Sequence, residues 1–177
     1  NPSQGWIHPD SPLLDVRVRK ALNKALNRDE INKGIFGGKG ELMVLNHFHP
    51  TRLGWKPEWE RRFNEEYGYD PAKAERILDE AGWTRWADGI RAKDGKPLKF
   101  MLITNNANEA RKDIATLVQS DFKKIGIAVD VQMYEWAVFI SRFINKKEFE
   151  ATVLGWSVGY DYDQYQIWHS SQTNPGQ

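Results

Sequence analysis

The sequence predicts an α/β lobe, a mixed sheet covered by helices, and three observations carry that reading. Apolar residues recur at helical spacing between recognisable caps in the first half. Strand-like and helix-like segments alternate in the second half. The hydrophobic share of 40% over 177 residues suffices for a core without staples.

The first helix starts after Asp15, whose carboxylate suits an N-cap. Val18, Ala21, Leu22, Ala25 and Leu26 then form one apolar stripe, with Arg17, Arg19, Lys20 and Lys24 on the wet side. Asn27 caps a second helix, Arg28 to Ile35, which Gly37 and Gly38 end. From Gly38 to Tyr69 the chain is irregular, broken by Pro50, Gly54, Pro57 and Gly68, with a short helical turn expected around Trp59 to Glu66. Asp70-Pro71 is the strongest local signal: a cap, then proline at the first helical position, where its missing N–H costs nothing. Ala74, Ile77, Leu78 and Ala81 face inward from that helix, and Gly82 stops it.

Asp88-Gly89 and Asp94-Gly95 suit tight turns around a short hairpin strand at Ile90 to Ala92. Lys96 to Thr104 reads as one strand, apolar on both faces and therefore interior. A helix over Asn108 to Lys124 points Ile114, Leu117, Val118 and Ile125 inward and ends at Gly126. Ile127, Val129, Val131 and Met133 alternate as in a half-buried strand. A helix at Trp136 to Lys146 and a third strand at Phe149 to Trp156 come next, and Gln164 to His169 starts a further helix. With no repeat or low-complexity tract, residues 1–177 read as a single domain.

Composition narrows the function. Lys and Arg number 25 against 24 Asp and Glu, a net charge of +1, so no electrostatic case exists for a nucleic-acid partner or an anionic membrane. The chain has no cysteine, which removes disulfides, thiolate metal sites and cysteine nucleophiles. No G-x-S-x-G elbow, P-loop or H-E-x-x-H is present, so no catalytic signature is found, and the expectation is no enzyme and no cofactor. Gly34 to Gly40 is glycine-rich but lacks the Lys-Ser/Thr ending of a phosphate loop. His47 and His49 could chelate a metal from a strand, but no third ligand is suggested nearby, and the expected metal content is none. Asp161, Asp163 and Glu150 could be offered as paired carboxylates, but nothing supplies a nucleophile beside them.

Aromatic residues make up 12% of the chain, and Trp156, Tyr160, Tyr162, Tyr165 and Trp168 crowd together after the third strand. In open α/β sheets, ligands sit beyond the carboxyl ends of strands. The segment Trp156, Ser157, Val158, Gly159, Tyr160 and Asp161 is therefore the candidate ligand site, with aromatic faces for stacking and backbone groups of Ser157 to Gly159 for hydrogen bonds.

Five segments in order resemble the extracytoplasmic solute-binding proteins of family 5, the dipeptide, oligopeptide and nickel group. Asp15-Val-Arg-Val-Arg-Lys-Ala-Leu-Asn-Lys-Ala-Leu-Asn-Arg-Asp-Glu-Ile31 is similar to the family's D-x-x-V-R-x-A helix. Tyr69-Asp-Pro-Ala-Lys-Ala through Glu80-Ala-Gly-Trp83 resembles its Y-D-P-x-K-A helix. Asp88-Gly-Ile-Arg91 with Asp94-Gly-Lys-Pro-Leu98, then Ile125-Gly-Ile-Ala-Val-Asp-Val131, then Gly155-Trp156 with Asp161 and Tyr165, complete the set. The resemblance implies a periplasmic-binding-protein-like II (class C) fold. Because members are about three times longer, it also implies that residues 1–177 are most of the C-terminal lobe of a two-lobed protein whose N-terminal lobe is missing here. It further implies capture of a peptide or other small polar solute between the lobes, delivery to an ABC permease in the membrane, and a periplasmic or extracytoplasmic location. Peptide-binding members place an aspartate three residues after the Gly-Trp tryptophan; here that residue is Gly159, which leaves sugars and other polar solutes equally open. The alternative is a free-standing carbohydrate-binding or interaction module with an exposed tryptophan platform.

Overall fold

The computed structural model describes residues 9–41, 50, 53–146, 148–155, 165 and 169–173. It divides into two compact units, a helical one of Asp15–Leu98 and Ser120–Ala128, and a sheet unit of Asn1–Leu14, Lys99–Gln119 and Val129–Gln177.

In the helical unit, α1 (Val16–Ala25) begins where the Asp15 carboxylate accepts the Arg17 N–H, as the sequence predicts. α2 (Arg28–Phe36) is capped by Asn27 and closed by Gly37 in the left-handed region. α3 (Glu58–Tyr67) is a full helix where the sequence predicts only a turn. α4 (Pro71–Glu80) is capped by Asp70, which accepts from the Lys73 N–H at 2.9 Å. α1 packs on α4, and small buried residues (Ala21, Ala25, Ala74, Ala81) let the two backbones approach around Val18 and Leu78. Lys24 departs from the expected wet side and is 3% exposed. Its stem is buried while its ammonium donates to the carbonyls of Glu65 (3.2 Å) and Gly68 (3.5 Å), which close α3.

Three short antiparallel strands come after α4: β1 (Thr84–Arg85), β2 (Arg91–Lys93) and β3 (Lys96–Pro97), in that order across their sheet. Arg91 binds this unit together. Its side chain is 3% exposed and donates to the carbonyls of Trp83 (2.7 Å) and Ile125 (2.9 Å) and to the Asp79 carboxylate. Its own N–H meets the Gly126 carbonyl at 2.7 Å. Gly126 has φ +83°, and a Cβ there would lie 2.9 Å from both Arg91 Cγ and the Gly89 carbonyl oxygen, so only glycine fits.

The predicted single strand at Lys96 to Thr104 is two strands in two sheets. Leu98 is the break: its N–H bonds the Arg91 carbonyl (2.6 Å) and its carbonyl accepts from Ala128 (3.0 Å). β4 (Lys99–Asn105) then starts the sheet unit and is the middle of a sheet ordered β5-β4-β6, buried continuously from Leu102 to Asn105. That agrees with its two-faced apolar sequence. α5 (Glu109–Lys124) leads to β5 (Ala128–Tyr134), whose Met133 is 40% exposed against expectation. α6 (Trp136–Val138) passes directly into a π-helical turn, Phe139–Ile144, so the predicted helix keeps its place but changes winding. The wider turn places Phe139 and Phe143 together in a core with Ile103, with Met101, Tyr134, Ile140 and Leu154 packed around them. β6 is only Ala151–Thr152, parallel to β4 at Leu102 and Ile103. It is short because the preceding Glu150 offers its side chain where a strand would offer backbone, accepting from the Met101 N–H (2.8 Å) and the Ser11 hydroxyl.

Arg91→Met removes donors from buried carbonyls and should lower stability by about 3 kcal/mol, whereas Asp79→Asn should cost less than about 1 kcal/mol because Asp79 is exposed; urea unfolding of both variants measures the contrast. The Arg17 guanidinium, hydrogen-bonded to Asp15, holds that carboxyl below its ordinary value. The pair's stabilisation is therefore present above the ordinary carboxylate pKa and is lost as pH falls through the lowered one. Asp15→Asn keeps the cap, so its unfolding midpoint should converge on that of the parent chain on acidification below about pH 4.

Candidate functional site

β4 and β6 run parallel, so their carboxyl ends open on the same side of the sheet. Side chains fasten the two strands there. Thr104, fully buried, donates its hydroxyl to the Val153 carbonyl (2.9 Å), and Thr152 donates to the Ile103 carbonyl (3.1 Å). The Val153 N–H returns to the Ile103 carbonyl at 3.0 Å. These hydrogen bonds hold the chain at Val153 against the end of β4, just before the segment that the sequence marks as the ligand site.

That segment itself, Trp156, Ser157, Val158, Gly159, Tyr160 and Asp161, lies outside the described residues, as do Tyr162, Asp163, Trp168, His47 and His49. Of the same cluster Tyr165 is described. Its ring stacks on His169 with centroids 4.4 Å apart, and both side chains reach the Ser171 hydroxyl at 2.9 Å. Glu150, a candidate by sequence for a carboxylate pair, is occupied by Met101 and Ser11.

Around the fastened ends the structure gathers residues that the sequence pattern does not single out. Asn105, 5% exposed, ends β4 and accepts from Arg111 Nη1 at 2.8 Å. Arg111 stands in the first turn of α5, where its N–H bonds the Asn108 side chain at 3.0 Å. Its guanidinium carbon lies 5.8 Å from the centre of the Trp136 ring, a cation–π contact. Trp136 in turn leans on Phe139, 5.8 Å between centroids, and stays 46% exposed. Glu135 fixes its approach by capping α6, accepting from the N–H groups of Ala137 (2.9 Å) and Val138 (3.3 Å). Gly155 leaves room for the arginine: a Cβ there would sit 3.3 Å from Arg111 Nη2.

The result is a cationic, aromatic corner at the carboxyl edge of the sheet, beside the start of a long helix. It can stack a flat or apolar group and bind a polar or anionic one. The rule about carboxyl ends of strands, applied to the end of β4 as it was to the third strand, would have found Asn105 and Arg111. Trp136 carried no such signal, because it starts a helix.

A hollow of about 450 Å³ lies in the helical unit along α2, lined by Arg28, Asp29, Ile31, Asn32, Phe36, Gly40 and Glu41. The Asn32 carboxamide is engaged there by both backbone groups of Gly40. No group of three metal-ligating side chains occurs among the described residues, and no helix among them is long and apolar enough to cross a membrane.

The family described as bacterial extracellular solute-binding proteins, family 5 Middle, matches residues 1–177. The oligopeptide-binding protein AppA of Bacillus subtilis is 38% identical over 174 residues, 97% of this chain and 31% of that protein. Its structure with a nonapeptide superposes with a TM-score of 0.79 at 37% identity, covering 97% of this chain and 34% of AppA. The dipeptide-binding protein of Escherichia coli is 30% identical over 146 residues, 82% of this chain and 25% of its own length. NikA from Brucella suis, solved with Fe(III)-EDTA, gives a TM-score of 0.73 at 28% identity, over 96% of this chain and 33% of NikA. The chain thus spans a quarter to a third of the length of the relatives it matches, and its fold is that of part of a periplasmic-binding-protein-like II protein.

Removing the Thr104 hydroxyl tests the fastening. Thr104→Val should cost about 1 kcal/mol and speed amide exchange at Val153 to Gly155, with α1 and α4 unaffected; hydrogen–deuterium exchange reports both regions.

Proposed function

The chain belongs to the bacterial extracellular solute-binding proteins, family 5, and on that premise we propose that it is one ligand-bearing portion of a longer substrate-binding component of an ABC importer. Residues 1–177 supply most of the C-terminal lobe, and the remainder of the longer protein supplies the opposing lobe. The lobes close on a peptide or another small polar solute outside the cytoplasm and present it to the membrane permease.

The observation that carries this reading is the whole-length family match, joined to an exposed aromatic and cationic corner at the carboxyl edge of the sheet. Relatives named for oligopeptide and dipeptide binding support a peptide as the first ligand to test. A free-standing carbohydrate-binding module does not fit a chain that matches one family over its whole length and spans a quarter to a third of its relatives.

Within this reading Trp156, Ser157, Val158, Gly159, Tyr160 and Asp161 line the ligand on one side, continuing from Gly155, and Trp136 and Arg111 face it from α6 and α5. Gly159 stands where an ammonium-binding aspartate would, so the peptide's amino end is expected to find its counter-charge elsewhere.

The test is calorimetric titration of the longer protein with mixed peptides of two to nine residues. One-to-one binding is expected, weakened about tenfold or more by Trp156→Ala, the loss typical of a central aromatic contact. Failure of every peptide to bind, or unchanged affinity in the variant, would count against peptide capture at this segment.

A further inference from the structure

Five of the described arginines are matched with carboxylates. Arg17 pairs with Asp15, Arg61 with Glu65, Arg85 with Glu75, Arg91 with Asp79 and Arg142 with Glu148. Arg111 has no carboxylate within ion-pair distance among the described residues. Of the acidic residues near it, Glu109 pairs with Lys112 at 2.8 Å and Glu135 caps α6. Its side-chain partners are a neutral amide and an indole face. Arg28 has partners of the same two kinds, Asn23 and Phe63, but commits both terminal nitrogens to Asn23. Arg111 commits one.

Resting on the capture reading above, we propose that Arg111 receives a carboxylate of the ligand, and that Asn105 is a positioning residue that aims the guanidinium while leaving its charge uncompensated. An aspartate of nearly the same shape at position 105 would hold the same nitrogen but neutralise it. The buried amide therefore separates two tasks that a carboxylate would merge, orientation and charge balance. Nη2 and Nε remain for the ligand, and their spacing suits a two-point carboxylate contact. Gly155 keeps the approach to Nη2 open, since a side chain there would crowd it. The start of the sixteen-residue α5 adds its own partial positive charge at the same corner. Trp136 offers a flat face beside the charge, for the part of the ligand next to its carboxylate.

A peptide carries a carboxylate at its C-terminus or on an acidic side chain, and the experiment separates the two. The longer protein is titrated with three pentapeptides: Ala-Ala-Tyr-Ala-Ala as the free acid, the same peptide as its C-terminal amide, and an amide with Glu in place of the fourth residue. The parent protein should bind at least one carboxylate-bearing peptide about tenfold or more tighter than the plain amide. Preference for the free acid assigns the C-terminus, and preference for the Glu-bearing amide assigns the side chain. Asn105→Asp and Arg111→Gln should each abolish that preference, read as the ratio of acid to amide affinity within each variant; Arg111→Lys, charged but without the planar fork, should keep part of it. The ratio is internal to each variant, so a loss of folded fraction does not imitate the effect. Equal binding of acid and amide by the parent protein, or an undiminished preference in Asn105→Asp, overturns the proposal while capture stands. If no pentapeptide binds the parent protein, the peptide-capture reading falls and takes this one with it.

Discussion

The helical unit depends on one buried arginine. Arg91 reaches the loop after α4, the C-terminal end of α5 and the acidic face of α4 from a single strand position. A buried guanidinium is costly unless its donors are satisfied, and here backbone carbonyls do most of that work. Those carbonyls belong to helix ends and turns, where the ladder of hydrogen bonds stops. Arg91 therefore satisfies orphaned groups of several elements at once. The same demand explains why Gly126 has no side chain and why Arg85, one strand over, bonds the Gly89 and Lys124 carbonyls beside it.

The sheet unit is organised differently, by side chains that stand in for strand. β6 pairs with β4 through only two residues, too few to fix register by itself. Glu150 holds the segment at its entry, and Thr104 and Thr152 hold it at its exit. This arrangement places the end of the segment accurately without the sequence demands of a long ladder. A binding loop rooted at such a point has a fixed base, and its own residues are free to change from one protein to another.

Much of this is legible in the sequence, for reasons that differ by element. The caps Asp15, Asn27 and Asp70 and the stops Gly37 and Gly82 act through their nearest neighbours, so local patterns find them. The two-faced apolar run of β4 announces a central strand. Lys24 could not be read, because what satisfies its ammonium is a helix end more than forty residues away. Nor could the break at Leu98, which is made by hydrogen bonds to Arg91 and Ala128 and leaves no trace in an alternating pattern. Likewise the π-helical turn keeps the apolar character of its residues and changes only the spacing at which they meet the core. Of the candidate site, the strand-end rule points to the segment after β6 and equally to the end of β4, where Asn105 and Arg111 stand.

On the capture reading, that corner accounts for how a family of one fold could serve different ligands. Its rigid parts, the ends of β4 and β6 and the cap of α6, are held by hydrogen bonds from Thr104 and Thr152 and to Glu135. The residues proposed to meet the ligand, Arg111, Trp136 and the segment beginning at Trp156, come just past those fixed points. On that proposal, exchanging the neutral amide of Asn105 for an acid would neutralise the charge of the corner by altering one side-chain group. Relatives solved with a nonapeptide and with Fe(III)-EDTA share the scaffold with this chain at TM-scores of 0.79 and 0.73. The scaffold therefore does not select the ligand. On the proposal above, selection falls to side chains at the strand ends, among them Arg111, whose partners among the described residues are a neutral amide and an indole face.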